Sequence, residues 1–267
     1  MKKQERAIYI VIIIILVGIL SAASTYIIMN NKNNKQNNNS NTNNKEPIEN
    51  NDKKNNEEKI TLSNTELNKY LSYTLDLADI IGPDNTIVNI NTADKALILG
   101  NALYQIKESE YIKKQEQSAS NYVYVDGDGY YYHVSEAKIE SLLKKMYNLE
   151  LKDFNLKENS NKYVATAGGI CYLYVKQGFT PLECSGSEGK LSKIDSYEAN
   201  DQELVIYEYA VGLDAGNNIN DYYTQKIINI DDDDNYFDKH YKEFTKYKHT
   251  FKKNDTGYYW YQTEVVK

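Results

Sequence analysis

Between Ala7 and Met29 the chain carries no formal charge for 23 residues, and residues 10–17 are aliphatic throughout. A helix of that length spans about 34 Å, enough for a hydrocarbon core of about 30 Å. Lipid offers backbone polar groups no partner, so such a run enters a bilayer as a helix. The run therefore predicts a transmembrane anchor over residues 7–29. A cleaved secretory leader is the rival reading. Lys2, Lys3 and Arg6 would be its basic start, and Ser21, Ala22 and Ala23 its small cleavage-site residues. Tyr26, Ile27, Ile28 and Met29 prolong the apolar run past that site and favour retention. The three basic residues on a six-residue tail hold the N-terminus on the cytoplasmic side. Residues 1–6 thus read as a cytoplasmic tail, and the chain after Met29 as extracytoplasmic.

Residues 30–59 have a different texture. Fourteen asparagines fall between Asn30 and Asn56, among Lys, Glu, Gln and Ser. With almost no apolar side chains to bury, nothing offsets the entropy of ordering. The segment reads as a disordered Asn/Lys-rich linker, with an r.m.s. span on the order of 30 Å.

Residues 60–267 read as the folded domain. They hold 22 lysines against 32 acids, so they are more acidic than the whole chain at −7. That balance argues against a nucleic-acid partner. Ser63 and Glu66 have capping-box spacing. After them Leu67, Tyr70, Leu71, Leu75, Ala78 and Ile81 recur at helical intervals, up to the breaker at Gly82 and Pro83. Further helices are predicted over residues 93–106, capped by Thr92, and from Ser135 onward. Residues 122–134 read as a hairpin around Asp126, Gly127, Asp128 and Gly129. Beyond Lys162 the period changes to two. Strands are predicted at 163–167, 170–176, 191–198, 203–213, 223–230, 244–252 and 258–265. Helices first and strands afterwards predict an α+β fold: N-terminal amphipathic helices packed on a C-terminal antiparallel β-sheet, preceded by the transmembrane helix and the linker.

Few residues carry a recognisable chemistry. Cys171 and Cys184 flank a turn and are candidates for a disulfide in an oxidising compartment. Asp126 to Gly129 opens like a calcium loop. Tyr130, Tyr131 and Ala137 then stand where ligands and a glycine are needed, so a plain turn is the better reading. The acidic run Asp231 to Asp234 lacks a spaced acceptor pattern and reads as a solvated loop. No catalytic residue, metal site or cofactor is expected.

Tyrosine is the unusual residue: 26 Tyr against 5 Phe and one Trp. Asn, Ile, Lys and Tyr all have AT-rich codons, so base composition accounts for part of this. Tyr130 and Tyr132, and Tyr258, Tyr259, Trp260 and Tyr261, cluster in expected strands. Alternation sends rings to both faces, and an exposed aromatic row suits a sugar ring or a peptide. These six are the candidate binding residues, and loss of Trp260 is expected to weaken binding without unfolding. The reading that follows is a membrane-anchored, non-enzymatic domain with a single membrane span that binds an envelope glycan or protein. The alternatives are an accessory subunit of a membrane complex and an envelope hydrolase using paired carboxylates.

Overall fold

Ser63 starts the first described helix. Its hydroxyl accepts from the Glu66 backbone N–H at 3.3 Å, and the Glu66 carboxylate accepts from the Ser63 N–H at 2.8 Å. This reciprocal cap satisfies two backbone donors. The helix, α1 (Asn64–Leu71), stops after eight residues although the apolar spacing runs on to Ile81. The Ser72 and Thr74 hydroxyls each donate back to a carbonyl, of Lys69 and Leu71, at 2.7 Å. Asp76 then caps a separate short helix, α2 (Leu77–Ile80). Side-chain bonds to the backbone compete here with the helical ladder. The Asn101 amide, which donates to the Ser72 and Thr74 carbonyls at 3.3 and 3.0 Å, fixes the break.

This computed structural model describes residues 60–115, 130–157, 162–175, 177–184, 189–230 and 235–266. All belong to one unit, Asn55–Lys267. After α2 come β1 (Ile87–Asn89), α3 (Lys95–Tyr104), β2 (Ile112–Gln115), β3 (Tyr130–Ser135) and α4 (Glu136–Tyr147). Next are β4 (Ala165–Ala167), β5 (Ile170–Tyr174), β6 (Gly178–Glu183), β7 (Gly189–Ala199) and β8 (Glu203–Leu213). The chain closes with β9 (Asn218–Asn220), β10 (Ile227–Asn229), α5 (Tyr236–His240), β11 (Lys246–Asn254) and β12 (Gly257–Val266).

β8 organises the larger, seven-stranded sheet. β7 pairs with it along its whole length. On its other edge, Glu203 to Tyr209 pair with β11 and the last two residues with β9. β12 and then β1 continue beyond β11, and β10 beyond β9. The smaller sheet has five strands in the order β2-β3-β6-β5-β4. Every pairing in both is antiparallel.

The expected α+β layout does not hold. The described chain is mostly antiparallel β in two sheets, and its helices run from 4 to 12 residues. Strands are not confined to the C-terminal side, because β1 pairs with β12 and β2 and β3 belong to the smaller sheet. The helices are threaded between the sheets: α3 lies against β4, α4 lies against β12, and the two touch. Gly100 on α3 makes the first contact possible, since a Cβ there would sit 2.3 Å from the Thr166 carbonyl oxygen. An apolar helical stripe shows that a helix has a buried side, not how many layers it separates. No helix among the described residues is long and apolar enough to cross a membrane. Residues 7–29 and 30–59, read as anchor and linker, lie outside the described residues.

The main core fills the space between the sheets. Trp260, Phe251 and Tyr247 come from the larger sheet, Tyr172, Phe179 and Val134 from the smaller, and Ile98, Leu103, Ile139 and Met146 from α3 and α4. On the opposite face of β8 Val205 is buried beside Thr250 of β11, and a second apolar cluster forms near the C-terminal end. There Val211 packs with Ile219, Ile230, Phe237 and Phe244 in a separate small cluster.

Candidate functional site

β12 divides the tyrosine-rich tip of the chain between two environments. Tyr258 and Trp260 point inward and are 6 % and 0 % exposed, while Tyr259 and Tyr261 point outward and are half-buried. A β-bulge follows: Thr250 pairs with Gln262 but Phe251 pairs with Trp260, so Tyr261 is the extra residue. An extra residue reverses the alternation. Trp260 and Thr263, three apart, therefore both face the core.

That reversal completes a buried polar chain. Trp260 Nε1 donates to Thr263 Oγ1 at 3.0 Å, and Thr263 Oγ1 lies 2.9 Å from His249 Nδ1. His249 Nε2 lies 3.0 Å from Glu208 Oε1, which also accepts from Lys190 Nζ at 2.6 Å. Donor and acceptor counts fix the protons. With Glu208 ionised, His249 donates from Nε2, accepts at Nδ1 from the Thr263 hydroxyl and is neutral; this tautomer is assigned from the network. Burial would raise the Glu208 carboxyl, but the Lys190 ammonium and the His249 donation outweigh it and bring it down to about 2. Burial holds His249 below its usual value, against the pull of Glu208.

An acid, an imidazole and a hydroxyl in series form the geometry of a nucleophile triad. Here, however, Glu208, His249 and Thr263 are each 0 % exposed. The hydroxyl is committed to Trp260 and His249, so this chain ties β8, β11 and β12 together and presents nothing to a substrate.

The outer face of the same strands carries a different set. Lys246 Nζ reaches Asp195 at 2.6 Å and lies over the rings of Tyr207 and Tyr209. Lys248 pairs with Glu264 at 2.8 Å, and Lys252 Nζ sits 3.5 Å from the centre of the Tyr261 ring. Tyr209 is covered by Tyr241, with ring centres 5.2 Å apart. Tyr207, Tyr259 and Tyr261 remain on the open part. Where the β7–β8 turn meets the end of β11, a concavity of about 760 Å³ opens, lined by Asn200, Asp201, Gln202, Glu203, Lys252, Lys253, Asn254 and Tyr259.

The six candidate binding residues are thus not one surface. Trp260 is a core residue beside Tyr147, with ring centres 6.1 Å apart, so its loss strikes folding first. Tyr258 lies against Tyr70 and donates its hydroxyl to the Asn200 carbonyl. Tyr132, 45 % exposed, belongs to β3 of the smaller sheet, near Tyr111. Tyr130 opens that strand opposite Gln115. Cys171 and Cys184 are bonded, with Cα atoms 5.8 Å apart. The bond closes the open end of the β5–β6 hairpin, where the Cys184 N–H also donates to the Gly169 carbonyl. Asp126 to Gly129 and Asp231 to Asp234 lie outside the described residues. Among the described residues no cluster of three or more His, Cys, Asp or Glu could hold a metal ion.

The sequence reading missed Glu208, His249, Tyr207 and Tyr209. One signal was present for the first. Glu208 stands in the apolar run of β8 at the parity of Leu204, Ile206 and Ala210, and a carboxylate on a buried face requires a partner. No family model, curated protein or solved structure matches the chain.

Proposed function

We propose that residues 60–267 are a non-enzymatic binding domain, held at the outer side of the cell membrane by the apolar segment 7–29, that grips an envelope partner through the open face of the larger sheet. One observation carries this reading. The acid, base and hydroxyl set of the strands is sealed in the core, whereas the rings and ammonium groups of the same strands face outward. Tyrosine combines a large apolar surface with a polar tip and loses little entropy on binding. Lysine stems lying along the rings hold them in place.

The test uses the full-length protein in detergent micelles, applied to arrays of envelope glycans and purified envelope proteins. Binding is expected to fall at least tenfold when Tyr207 and Tyr261 are both replaced by Ala, with the fold intact by circular dichroism. Full binding by that variant, or no binding by the wild type to any array member, removes the reading.

A further inference from the structure

We infer that the concavity at the hairpin tips is a subsite for a neutral, hydroxyl-rich saccharide, with Tyr259 as the ring on which the sugar stacks. The inference rests on the binding-domain reading and narrows its ligand. The concavity, about 760 Å³, falls within the size range of small-ligand sites.

Tyr259 differs from its aromatic neighbours. Tyr258 packs on Tyr70, Tyr261 lies under Lys252, and Tyr207 and Tyr209 lie beside Lys246. Alone of these, the Tyr259 side chain makes no ring, cation or hydrogen-bond contact among the described residues, and it lines the concavity. It lies opposite Lys252 on β11, which in turn lies opposite Glu203 on β8, so one row across three strands runs ring, ammonium, carboxylate.

The charges of the site select the ligand class. Lys252 is drawn over Tyr261, and Lys253 pairs with Asp201 at 3.3 Å. Among the described residues the lining sets Lys252 and Lys253 against Asp201 and Glu203, so it carries no net positive charge to favour an anionic group. Among the described residues the lining offers no apolar side chain other than the ring, so a hydrophobic peptide anchor finds no apolar wall there. The Gln202 side-chain amide and the Glu203 carboxylate make no hydrogen bond among the described residues, although the Glu203 charge acts on Lys248. Together they supply two donors and several acceptors at the rim. An aromatic face with a side-chain amide and a carboxylate beside it is complementary to a pyranose, which offers C–H groups on one face and hydroxyls around its edge.

The experiment is calorimetric titration of the full-length protein in detergent micelles with chitotetraose and cellotetraose as neutral probes, and a tetragalacturonate as the acidic one. At least one neutral probe is expected to bind, and the acidic one at least tenfold more weakly. Tyr259→Ala is expected to lose about tenfold in affinity, while Tyr259→Phe stays close to wild type. Tyr163→Ala, an exposed ring two residues before β4 of the smaller sheet, is expected to change nothing. Equal affinity of Tyr259→Ala and wild type overturns the subsite, as does preference for the acidic probe. Should the wild type bind an envelope protein but neither neutral sugar, the subsite falls and the binding-domain reading stands. Should it bind nothing, both fall.

Discussion

The two faces of the larger sheet are made by the same strands and by similar residues, yet they do opposite things. On the inner face, Glu208 and His249 are locked to Lys190 and Thr263, and Tyr247 and Trp260 are fully buried. On the outer face, carboxylates and lysines pair at the surface, and the tyrosines keep one side toward water. Composition does not separate the faces; depth does. A charge pair taken out of water must satisfy its hydrogen bonds within the fold, whereas an exposed pair shares them with solvent and contributes little. Inner polar groups therefore act on stability, and outer ones are free for recognition.

The contrast is sharpest between adjacent residues. Trp260→Ala is expected to cost about 3–5 kcal/mol, because it opens a large cavity beside Tyr147 and removes the donor to Thr263. Tyr259→Ala, one position away on the other face, is expected to cost under about 1 kcal/mol. Urea denaturation of the two variants measures the difference, and similar costs would erase the distinction between faces.

Glu208→Ala is expected to cost a comparable amount, about 3–5 kcal/mol, because the buried His249 N–H loses its acceptor. Its signature is in the pH dependence. His249 titrates below its ordinary 6.5 in the folded chain, and Glu208 below its ordinary 4.5. For both groups the unfolded chain binds the proton more tightly, so their contribution is complete above those values and is lost on acidification. Stability is expected to fall below about pH 6.5 through His249 and further from 4.5 toward 2 through Glu208. Denaturation midpoints of His249→Gln across pH 7 to 4.5 are expected to flatten the first part of that fall. An unchanged slope would mean that His249 binds its proton equally well in the folded and unfolded chains, and a steeper fall that it is charged in the folded chain.

Replacing Cys171 and Cys184 together by Ser is expected to cost about 3 kcal/mol, the loop-closure value for a bridge of this span. The loss lies on the other sheet, so it should add to that of Tyr259→Ala without coupling. Lys248→Ala is expected to have the smallest effect, under about 1 kcal/mol, and that effect should vanish at high salt. A salt-insensitive loss larger than this would place the Lys248–Glu264 pair among the buried contacts.

Much of the local structure was legible. The Ser63–Glu66 cap and the 203–213 strand are where their residue patterns put them, because both depend on neighbours within a few positions. The layer arrangement was not. The helical stripe of residues 64–81 persists through a chain that breaks at Ser72, since the break depends on Asn101 from another helix. Residues 177–181, read as the turn between the two cysteines, fall mostly in β6 (Gly178–Glu183), a strand because β3 and β5 flank it. The candidate site was half legible. The tyrosine clusters drew attention to β12, but the extra residue at Tyr261 has no local signature and appears only as a register shift against β11.

By itself the sequence determined which stretches are extended, where the first helix begins, and which residues along a strand share a side. Those properties follow from backbone sterics, capping and the two-residue repeat of the pleat. The tertiary structure alone decided which side is buried, which strands are neighbours, and that Glu208, His249 and Thr263 meet. A strand's side acquires its environment from whatever packs on it, and here that comes from α3, α4 and a second sheet distant in the chain.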